Sequence, residues 1–152
     1  MNLSVVRTDA THPDFVALVK LLDAELALRD GQDHAFYSQF NKVDTIKYAI
    51  VLYDGSNVIA CGAIKHFNHS SMEVKRMYTL PAYRGRGVAS RVLKELEKWT
   101  VELNYISCVL ETGKRQPEAI ALYEKNGYAI TENYGQYVGM DNSVCFIKQL
   151  NY

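Results

Sequence analysis

The sequence predicts a single α+β domain that comprises residues 1–152. Three apolar, β-branched runs follow one another with only turn signals between them, which is typical of antiparallel strands. A long amphipathic helix then begins after a glycine-rich turn, and a second helix separates two later strand-like runs. No repeat, low-complexity tract or linker divides the chain, whose 152 residues are close to the usual size of one domain.

The N-terminal part of the sequence predicts a strand, a helix and a loop. Leu3 to Arg7 has the pattern of a short strand, and apolar residues recur at helical spacing from Pro13 to Leu26. Gly31 lies just past this helix, where glycine favours termination. Residues 31–44 are polar with three aromatic side chains, so we predict a loop that contains at most one helical turn.

The middle of the sequence predicts three consecutive antiparallel strands. Lys47 to Tyr53 and Val58 to Phe67 are apolar runs, and residues 54–57 between them (Asp-Gly-Ser-Asn) are a hairpin signal. Met72 to Leu80 is the third strand. It is expected to end at Pro81, because proline has no backbone N–H to donate to a strand ladder.

The last part of the sequence predicts two helices and three further strands. The first helix has apolar residues on one face and charged residues on the others. The second has proline at its first position and Asn-Gly at its end, as helix termini favour. The predicted elements are a helix from Gly87 to Leu103, a strand from Tyr105 to Leu110, a helix from Pro117 to Asn126, and closing strands at Tyr128–Thr131 and Ser143–Leu150.

Composition excludes several classes of protein. Lys and Arg number 17, as do Asp and Glu, so no overall positive charge attracts nucleic acid or an anionic membrane. No stretch of 18 apolar residues could span a bilayer, and the first 25 residues lack the apolar core of a signal peptide. Cys61, Cys108 and Cys145 lie in apolar runs without CxxC spacing. We therefore expect small buried residues and a cytoplasmic protein.

The most informative segment is Arg84-Gly85-Arg86-Gly87-Val88-Ala89. It follows a predicted strand and opens a helix, whose first N–H groups lack partners and whose dipole is positive at this end. The glycines allow the backbone to approach an anion closely, and the arginines add charge, so a pyrophosphate is the predicted ligand. Neither the dinucleotide GxGxxG pattern nor a Walker A sequence is present, which disfavours a nucleotide-binding oxidoreductase or an NTPase.

These residues resemble the pyrophosphate signature of the GNAT superfamily of N-acetyltransferases, Gln/Arg-x-x-Gly-x-Gly/Ala. A second block, residues 116–128, is similar to the family form Asn-x-x-Ala-x-x-Leu-Tyr-x-x-x-Gly-Phe/Tyr. The resemblance implies a mixed, mostly antiparallel sheet of six to seven strands with about four helices. It also implies that the sheet splays between Met72–Leu80 and Tyr105–Leu110, with acetyl-CoA in the gap as acyl donor and no metal.

The same resemblance implies a set of cofactor-binding residues. The backbone of Met77, Tyr78 and Thr79 would pair with the pantetheine arm as an added strand would, and residues 84–89 would hold the pyrophosphate. Gln116 stands where the family has an asparagine, one methylene shorter, which alters its expected contact with the cofactor arm. The predicted cofactor-binding residues are Met77, Tyr78, Thr79, Arg84, Gly85, Arg86, Gly87, Val88, Ala89 and Gln116.

Transfer to an amine needs a neutral amine, a polarised thioester and an acid for the leaving thiolate. By resemblance, Tyr123 is the acid, and a backbone N–H near Tyr78 is a natural donor to the thioester oxygen. The base is left open between Glu111, expected at the end of the strand that closes at Leu110, Glu73 on the other splayed strand, and water or a backbone group. His66 and His69 have the spacing of a metal pair but no third ligand nearby.

The acceptor is expected to be a small-molecule or protein amine bound by the first helix, the 31–44 loop and the 132–142 loop. These loops supply aromatic side chains without a dominant charge: His34, Phe36, Tyr37, Phe40, Tyr134 and Tyr137. A non-catalytic CoA-binding module is the alternative to an enzyme. The oligomeric state is left open, and the exposed closing strands are compatible with a homodimer.

Overall fold

The computed structural model describes residues 1–38 and 46–150, which form one seven-stranded mixed sheet and four α-helices. The order of strands is β1-β2-β3-β4-β5-β7-β6, so β1 and β6 are the edges. The strands are β1 Leu3–Thr8, β2 Tyr48–Asp54, β3 Asn57–His66, β4 Ser71–Thr79, β5 Ser107–Gly113, β6 Ala129–Thr131 and β7 Ser143–Gln149; the helices are α1 Pro13–Asp30, α2 His34–Ser38, α3 Val88–Glu102 and α4 Pro117–Lys125.

The predicted hairpin and the two long helices are confirmed. Gly55 occupies the turn between β2 and β3 with φ 60°, a left-handed conformation that glycine adopts without strain. His12 caps α1 by accepting a hydrogen bond from the Asp14 N–H, and Gly31 ends that helix. The short α2 lies inside the segment that we predicted to be a loop with one helical turn.

The strand predicted at Tyr105–Leu110 is displaced along the chain. β5 begins at Ser107 and continues to Gly113, so Glu111 lies inside a strand and does not follow its end. The cause is the partner strand: β7 pairs with every residue of β5, from Ser107 opposite Gln149 to Gly113 opposite Ser143. A continuous ladder therefore extends the strand past the apolar run that marked it in the sequence.

The sheet opens between β4 and β5, as predicted. These strands are parallel, and they pair only at their beginnings, where Ser71, Met72 and Glu73 face Ser107, Cys108 and Val109. In the ranges that the structure describes, the rest of β4 pairs with no strand on this side. A bulge at Arg76, which has φ 59°, shifts the register between β4 and β3, and bulges bend the strand that carries them.

Helices cover both faces of the sheet. Phe15, Leu18 and Leu22 of α1 pack on one face, and Val92 and Leu96 of α3 pack on the other. A methyl group added at Gly62 would lie 2.6 Å from Met77 Sδ and 2.8 Å from Val92 Cγ1, so glycine is needed for α3 to approach β3. The three cysteines are free and buried, which confirms their predicted role as core residues. None of the helices in the described part of the chain is long and apolar enough to cross a membrane.

Candidate active site

A cleft of about 410 Å³ lies between the second half of β4, the turn before α3, and α4. It is the gap that the splay leaves in the sheet. Among the predicted cofactor-binding residues, only Arg86 is absent from its lining. Those that line it are Met77, Tyr78, Thr79, Arg84, Gly85, Gly87, Val88, Ala89 and Gln116.

The turn before α3 presents its backbone to this cleft. Gly85 and Gly87 have φ 76° and 79°, and a methyl group added to either would meet no described atom within 4 Å. Gly87 is the N-cap of α3, and the first turn of that helix contains no acidic residue. The unpartnered N–H groups and the positive end of the helix dipole therefore face open space that an anion can occupy.

The two arginines of the turn are engaged with the protein itself. Arg84 Nε donates to the Thr79 carbonyl oxygen at 2.9 Å, and its Nη2 lies 3.0 Å from Glu25 Oε1. The Arg86 guanidinium lies 5.0 Å from the centre of the Tyr83 ring. Arg84 thus ties the turn to β4 and α1. The proposed anion site therefore depends more on backbone N–H groups than on the charges of the two arginines.

The open edge of β4 offers backbone groups at alternate residues. Tyr78 faces Cys61 in the β3–β4 register, and the Leu80 N–H donates to the Ile59 carbonyl at 2.9 Å. Backbone groups alternate sides along an antiparallel strand, so those of Tyr78 point to β3. The groups of Met77 and Thr79 point into the cleft, where Arg84 already occupies the Thr79 carbonyl.

A second cavity, of about 120 Å³, adjoins this cleft. Its lining carries most of the titratable groups of the region, including Glu73 and Glu111. Five residues line both spaces: Leu22, Met77, Gln116, Ala119 and Tyr123. We call the larger space the donor cleft and the smaller one the acceptor cavity.

Tyr123 lies at the junction of the two spaces and is 6% exposed. Its ring packs against Tyr128 and Phe146 at centroid distances of 5.8 and 6.0 Å. Burial raises the pKa of the Tyr123 phenol, and the nearby charge of Glu111 raises it further. The hydroxyl therefore keeps its proton at neutral pH and is a weaker acid than an exposed phenol.

Glu111 projects from the middle of β5 into the acceptor cavity. Burial raises the pKa of its carboxyl to about 7, while a hydrogen bond from Ser143 opposes that shift. The Ser143 Oγ donates to Glu111 Oε2 at 2.8 Å. A carboxyl with a pKa near neutrality is half ionised at the pH where most enzymes work, which is the property that a general base requires.

Glu73, on β4, has a different environment in the same cavity. Its Oε2 accepts a hydrogen bond from the Tyr134 hydroxyl at 2.6 Å, and its Oε1 lies 3.6 Å from Lys75 Nζ. An ion pair and a short hydrogen bond hold a carboxylate in place. Glu73 is therefore anchored to neighbouring side chains, whereas Glu111 accepts its hydrogen bond from a neutral hydroxyl.

Behind Glu111 lie Ser143, which was not predicted from the sequence, and Tyr37, which was predicted only as an aromatic contact of the acceptor. The Tyr37 hydroxyl and Ser143 Oγ are 2.8 Å apart. Since Ser143 donates to Glu111, its oxygen accepts from Tyr37, and the three groups form a chain of hydrogen bonds. In the sequence, Ser143 was only the first residue of a closing strand. The pairing of β7 with β5 brings it beside Glu111, and no local pattern reports that pairing.

A pair of side-chain amides forms one end of the acceptor cavity. A methyl group added at Gly113 would lie 3.1 Å from Asn142 Nδ2 and 3.5 Å from Gln116 Nε2. Asn142 is 9% exposed, and its Nδ2 makes no hydrogen bond within the described chain. Asn142 was likewise missed by the sequence analysis, where it was only the end of the 132–142 loop.

The aromatic residues predicted to bind the acceptor meet beside this cavity. Tyr37 and Tyr137 line it and stack at a centroid distance of 6.2 Å, and Tyr134 packs edge-on against Tyr137 at 5.8 Å. Phe40 and the side chain of His34 lie outside the described residues. Among residues 1–38 and 46–150, no cluster of His, Cys, Asp or Glu could hold a metal ion. The His66 ring instead hydrogen-bonds the Tyr105 hydroxyl at 2.7 Å.

Comparison with known proteins identifies relatives of this arrangement. The model of the acetyltransferase (GNAT) family matches residues 15–128. An IAA acetyltransferase from Azospirillum brasilense is 30% identical over 139 residues, which are 90% of each chain. A Klebsiella pneumoniae protein assigned as an acyl-CoA N-acyltransferase is 28% identical, with a TM-score of 0.81 over 98% of both chains. A GNAT acetyltransferase from Elizabethkingia anophelis, solved with acetyl-CoA bound, has a TM-score of 0.71 at 15% identity, over 98% of this chain and 99% of that one.

Proposed function

Because this chain belongs to the acetyltransferase (GNAT) family, we propose that it transfers an acetyl group from acetyl-CoA to a primary amine within a ternary complex. The observation that carries the proposal is the junction at Tyr123. An anion cleft with a free strand edge lies on one side of this phenol, and a cavity with a carboxyl of pKa about 7 lies on the other. The two spaces are separate enough to hold donor and acceptor at once, and they meet where the thioester would react.

The donor cleft supplies three kinds of contact to acetyl-CoA in this proposal. The amides of residues 84–89 receive the pyrophosphate at the start of α3. The backbone of Met77 and Thr79 pairs with the amides of the pantetheine arm, since an unpaired strand edge satisfies its N–H and C=O groups with an added chain. Gln116 lines both spaces and contacts the end of that arm. The solved relative that holds acetyl-CoA supports the choice of donor.

The reaction in this proposal is a direct attack with two proton transfers. The amine nitrogen bonds to the thioester carbon while Glu111 accepts a proton from that nitrogen. The carbon–sulfur bond breaks, and Tyr123 donates its proton to the departing CoA sulfur. Exchange with water then returns a proton to Tyr123 and removes one from Glu111. A backbone N–H of the β4 edge at Met77 or Thr79 polarises the carbonyl, because the N–H of Tyr78 points to β3.

The choice of Glu111 over Glu73 follows from their partners. The Glu73 carboxylate is held in place by the hydrogen bond from Tyr134 and by the ion pair with Lys75, so its oxygens are already engaged. Glu111 has a raised pKa, so it takes up a proton readily at neutral pH. Glu73 then helps to position the acceptor, which reacts as the neutral amine after its ammonium proton has passed to water.

Replacement of Tyr123 by phenylalanine tests the proposal. We expect a loss in kcat of about tenfold to a hundredfold, because removal of a general acid slows thiolate departure. The dissociation constant for acetyl-CoA should stay unchanged. CoA release is measured with a thiol reagent over a panel of amines, and cofactor binding by calorimetry.

Tyr105→Phe is the matched control, since it removes a tyrosine hydroxyl elsewhere in the protein. The Tyr105 hydroxyl is hydrogen-bonded to His66, and Tyr105 lines neither space. Full activity of Tyr123→Phe would remove Tyr123 from the mechanism. Binding of acetyl-CoA without CoA release for any amine would replace the enzyme with a CoA-binding module. Light scattering on the same samples measures the oligomeric state, which the sequence left open.

A further inference from the structure

One end of the acceptor cavity contains a buried hydrogen-bond donor without an acceptor. Asn142 Nδ2 lies near Gly113, in the cavity lining, and makes no hydrogen bond of normal geometry with a described residue. Its polar neighbour, the Tyr37 hydroxyl, is hydrogen-bonded to Ser143. The backbone of Asn142 is held in place, because its carbonyl accepts from the Lys114 N–H at 2.7 Å. Buried polar groups in proteins nearly always have a partner, so a donor left open in a cavity suggests that a ligand supplies the acceptor.

The absence of a side chain at residue 113 leaves space beside this buried donor. Gly113 has no positive φ, so its backbone does not require glycine. A methyl group there would instead press on Asn142 Nδ2 at 3.1 Å and approach Gln116 Nε2 at 3.5 Å. Glycine inside a strand often marks a close approach of another group. Here it leaves space beside two amide nitrogens that are hydrogen-bond donors by their chemistry.

The charges around the cavity indicate which acceptor group fits. Its lining holds three carboxylic acids, Asp30, Glu73 and Glu111, and two cations, Lys75 and Arg76. Lys75 lies 3.6 Å from Glu73, and Arg76 Nη1 lies 3.0 Å from Asp23 Oδ1. A ligand with several ammonium groups would add positive charge beside these two cations, which already pair with carboxylates. A ligand with one ammonium and one carboxylate adds no net charge.

The volume of the cavity limits the size of the acceptor. At about 120 Å³, it is comparable with the engineered cavity of ~150 Å³ that accommodates benzene, so it holds roughly six non-hydrogen atoms. That is the size of a small amino acid. Larger acceptors would need to extend out of the cavity.

We propose that the acceptor is a small amino acid, whose carboxylate accepts a hydrogen bond from Asn142 Nδ2 while its amine faces Glu111. This inference rests on the acetyltransferase function proposed above. Asn142 is then a specificity-determining residue that contacts the substrate, and Gly113 provides the space in which the carboxylate lies. The amine of the ligand then faces a carboxyl group, and its carboxylate faces an amide N–H.

The test uses three acceptors that share one carbon skeleton: alanine, alaninamide and ethylamine. The values of kcat/KM are measured at saturating acetyl-CoA for the wild-type chain, Asn142→Ala, Asn142→Asp and the control Asp141→Asn. Asp141 is the exposed neighbour of Asn142 and lines neither space. Ratios between acceptors are compared across variants, so the intrinsic nucleophilicity of each amine cancels.

We expect the wild-type chain to prefer alanine over ethylamine by about tenfold to a hundredfold, the effect of one hydrogen bond to a charged group. Asn142→Ala should remove most of that preference through a higher KM for alanine, with little change for ethylamine. Asn142→Asp keeps the shape but replaces the donor by an acceptor, so alaninamide should become better than alanine. Asp141→Asn should retain the wild-type ratios.

Three outcomes would overturn the proposal, and they are distinguishable. Turnover of ethylamine equal to that of alanine by the wild-type chain would exclude carboxylate recognition. Unchanged ratios in both Asn142 variants would exclude Asn142 as its ligand. If no amine, among these three or in a wider panel, leads to release of CoA, the acetyltransferase assignment itself is overturned. If Asn142→Ala does not fold, the comparison of Asn142→Asp with the wild-type chain decides the question alone.

Discussion

The donor cleft and the acceptor cavity adjoin each other but differ in the chemical groups that line them. The donor cleft is lined by residues 77–79, 84–85 and 87–89 together with residues of α1 and α4, and its arginine, Arg84, already has partners. The acceptor cavity is lined by carboxylic acids, cations and tyrosines within about 120 Å³. Fixed backbone dipoles hold a charge that does not change during the reaction. Proton transfer requires groups whose ionisation can change, and these lie in the second space.

The largest effect that distinguishes the two spaces is expected from Glu111→Gln. We expect kcat/KM to fall by roughly a hundredfold to ten-thousandfold, because the variant lacks the general base. The affinity for acetyl-CoA should be unaffected. Glu73→Gln is the matched variant in the same cavity, and its loss should be about tenfold at most, since it removes only a partly screened charge.

The pH profile provides the control for that experiment. In the wild-type chain, kcat/KM should fall as the pH drops below about 7, because Glu111 must be deprotonated to accept a proton. Glu73→Gln should keep this dependence and Glu111→Gln should lose it. If the fall of kcat/KM at low pH disappears in Glu73→Gln and persists in Glu111→Gln, the assignment of the base is reversed.

The next effect is confined to the donor cleft. Gly87→Asp introduces a negative charge and a side chain at φ 79°, at the position proposed for the pyrophosphate. We expect the dissociation constant for acetyl-CoA to rise by about a hundredfold or more, since like charge at a helix N-terminus opposes anion binding. Calorimetry with acetyl-CoA measures the change.

Gly139→Asp is the control for backbone strain. Gly139 has φ 82°, a methyl group there would meet nothing within 4 Å, and the residue lines neither space. Both substitutions should cost similar stability, but only Gly87→Asp should weaken cofactor binding. Equal affinity for acetyl-CoA in the two variants would contradict the placement of the anion site.

The smallest effect concerns folding stability and again separates the two spaces. The pKa of Glu111 is raised from 4.5 to about 7 in the folded protein. The stability that protonated Glu111 contributes is therefore fully present below pH 4.5 and is lost as the pH rises through 7. Glu111→Gln does not titrate, so it should gain roughly 2–3 kcal/mol over the wild-type chain between pH 4.5 and pH 8.

Urea unfolding at several pH values measures this gain. Glu102→Gln is the control of opposite sign, because the hydrogen bond from Arg7 lowers the pKa of that carboxyl. Its contribution to stability is present at neutral pH and lost on acidification. A Glu111→Gln variant that is less stable than the wild-type chain at pH 8 would mean that ionised Glu111 has a stabilising partner in solution.

Much of the donor side could be predicted from the sequence because its determinants are local. Residues 84–89 are contiguous, and the chemistry of a helix N-terminus depends on backbone geometry that glycine and strand–turn–helix order reveal. Tyr123 was found through the resemblance of one helix to a family pattern. The sequence misplaced β5, since the extent of a strand depends on its partner, and the apolar run ended before the ladder with β7 did.

The sequence by itself therefore determined the order of the elements, the turn that we propose as the anion site and the candidate acid, all of which follow from residues that are neighbours in the chain. Only the tertiary structure distinguished Glu111 from Glu73 as the proposed base, brought Asn142 into the cavity lining and placed Ser143 beside Glu111. The pairing of β5 with β7 joins residues more than thirty positions apart, as Ser143 and Glu111 show. Burial then sets the pKa of a carboxyl by removing water from it, and burial is a property of the whole fold.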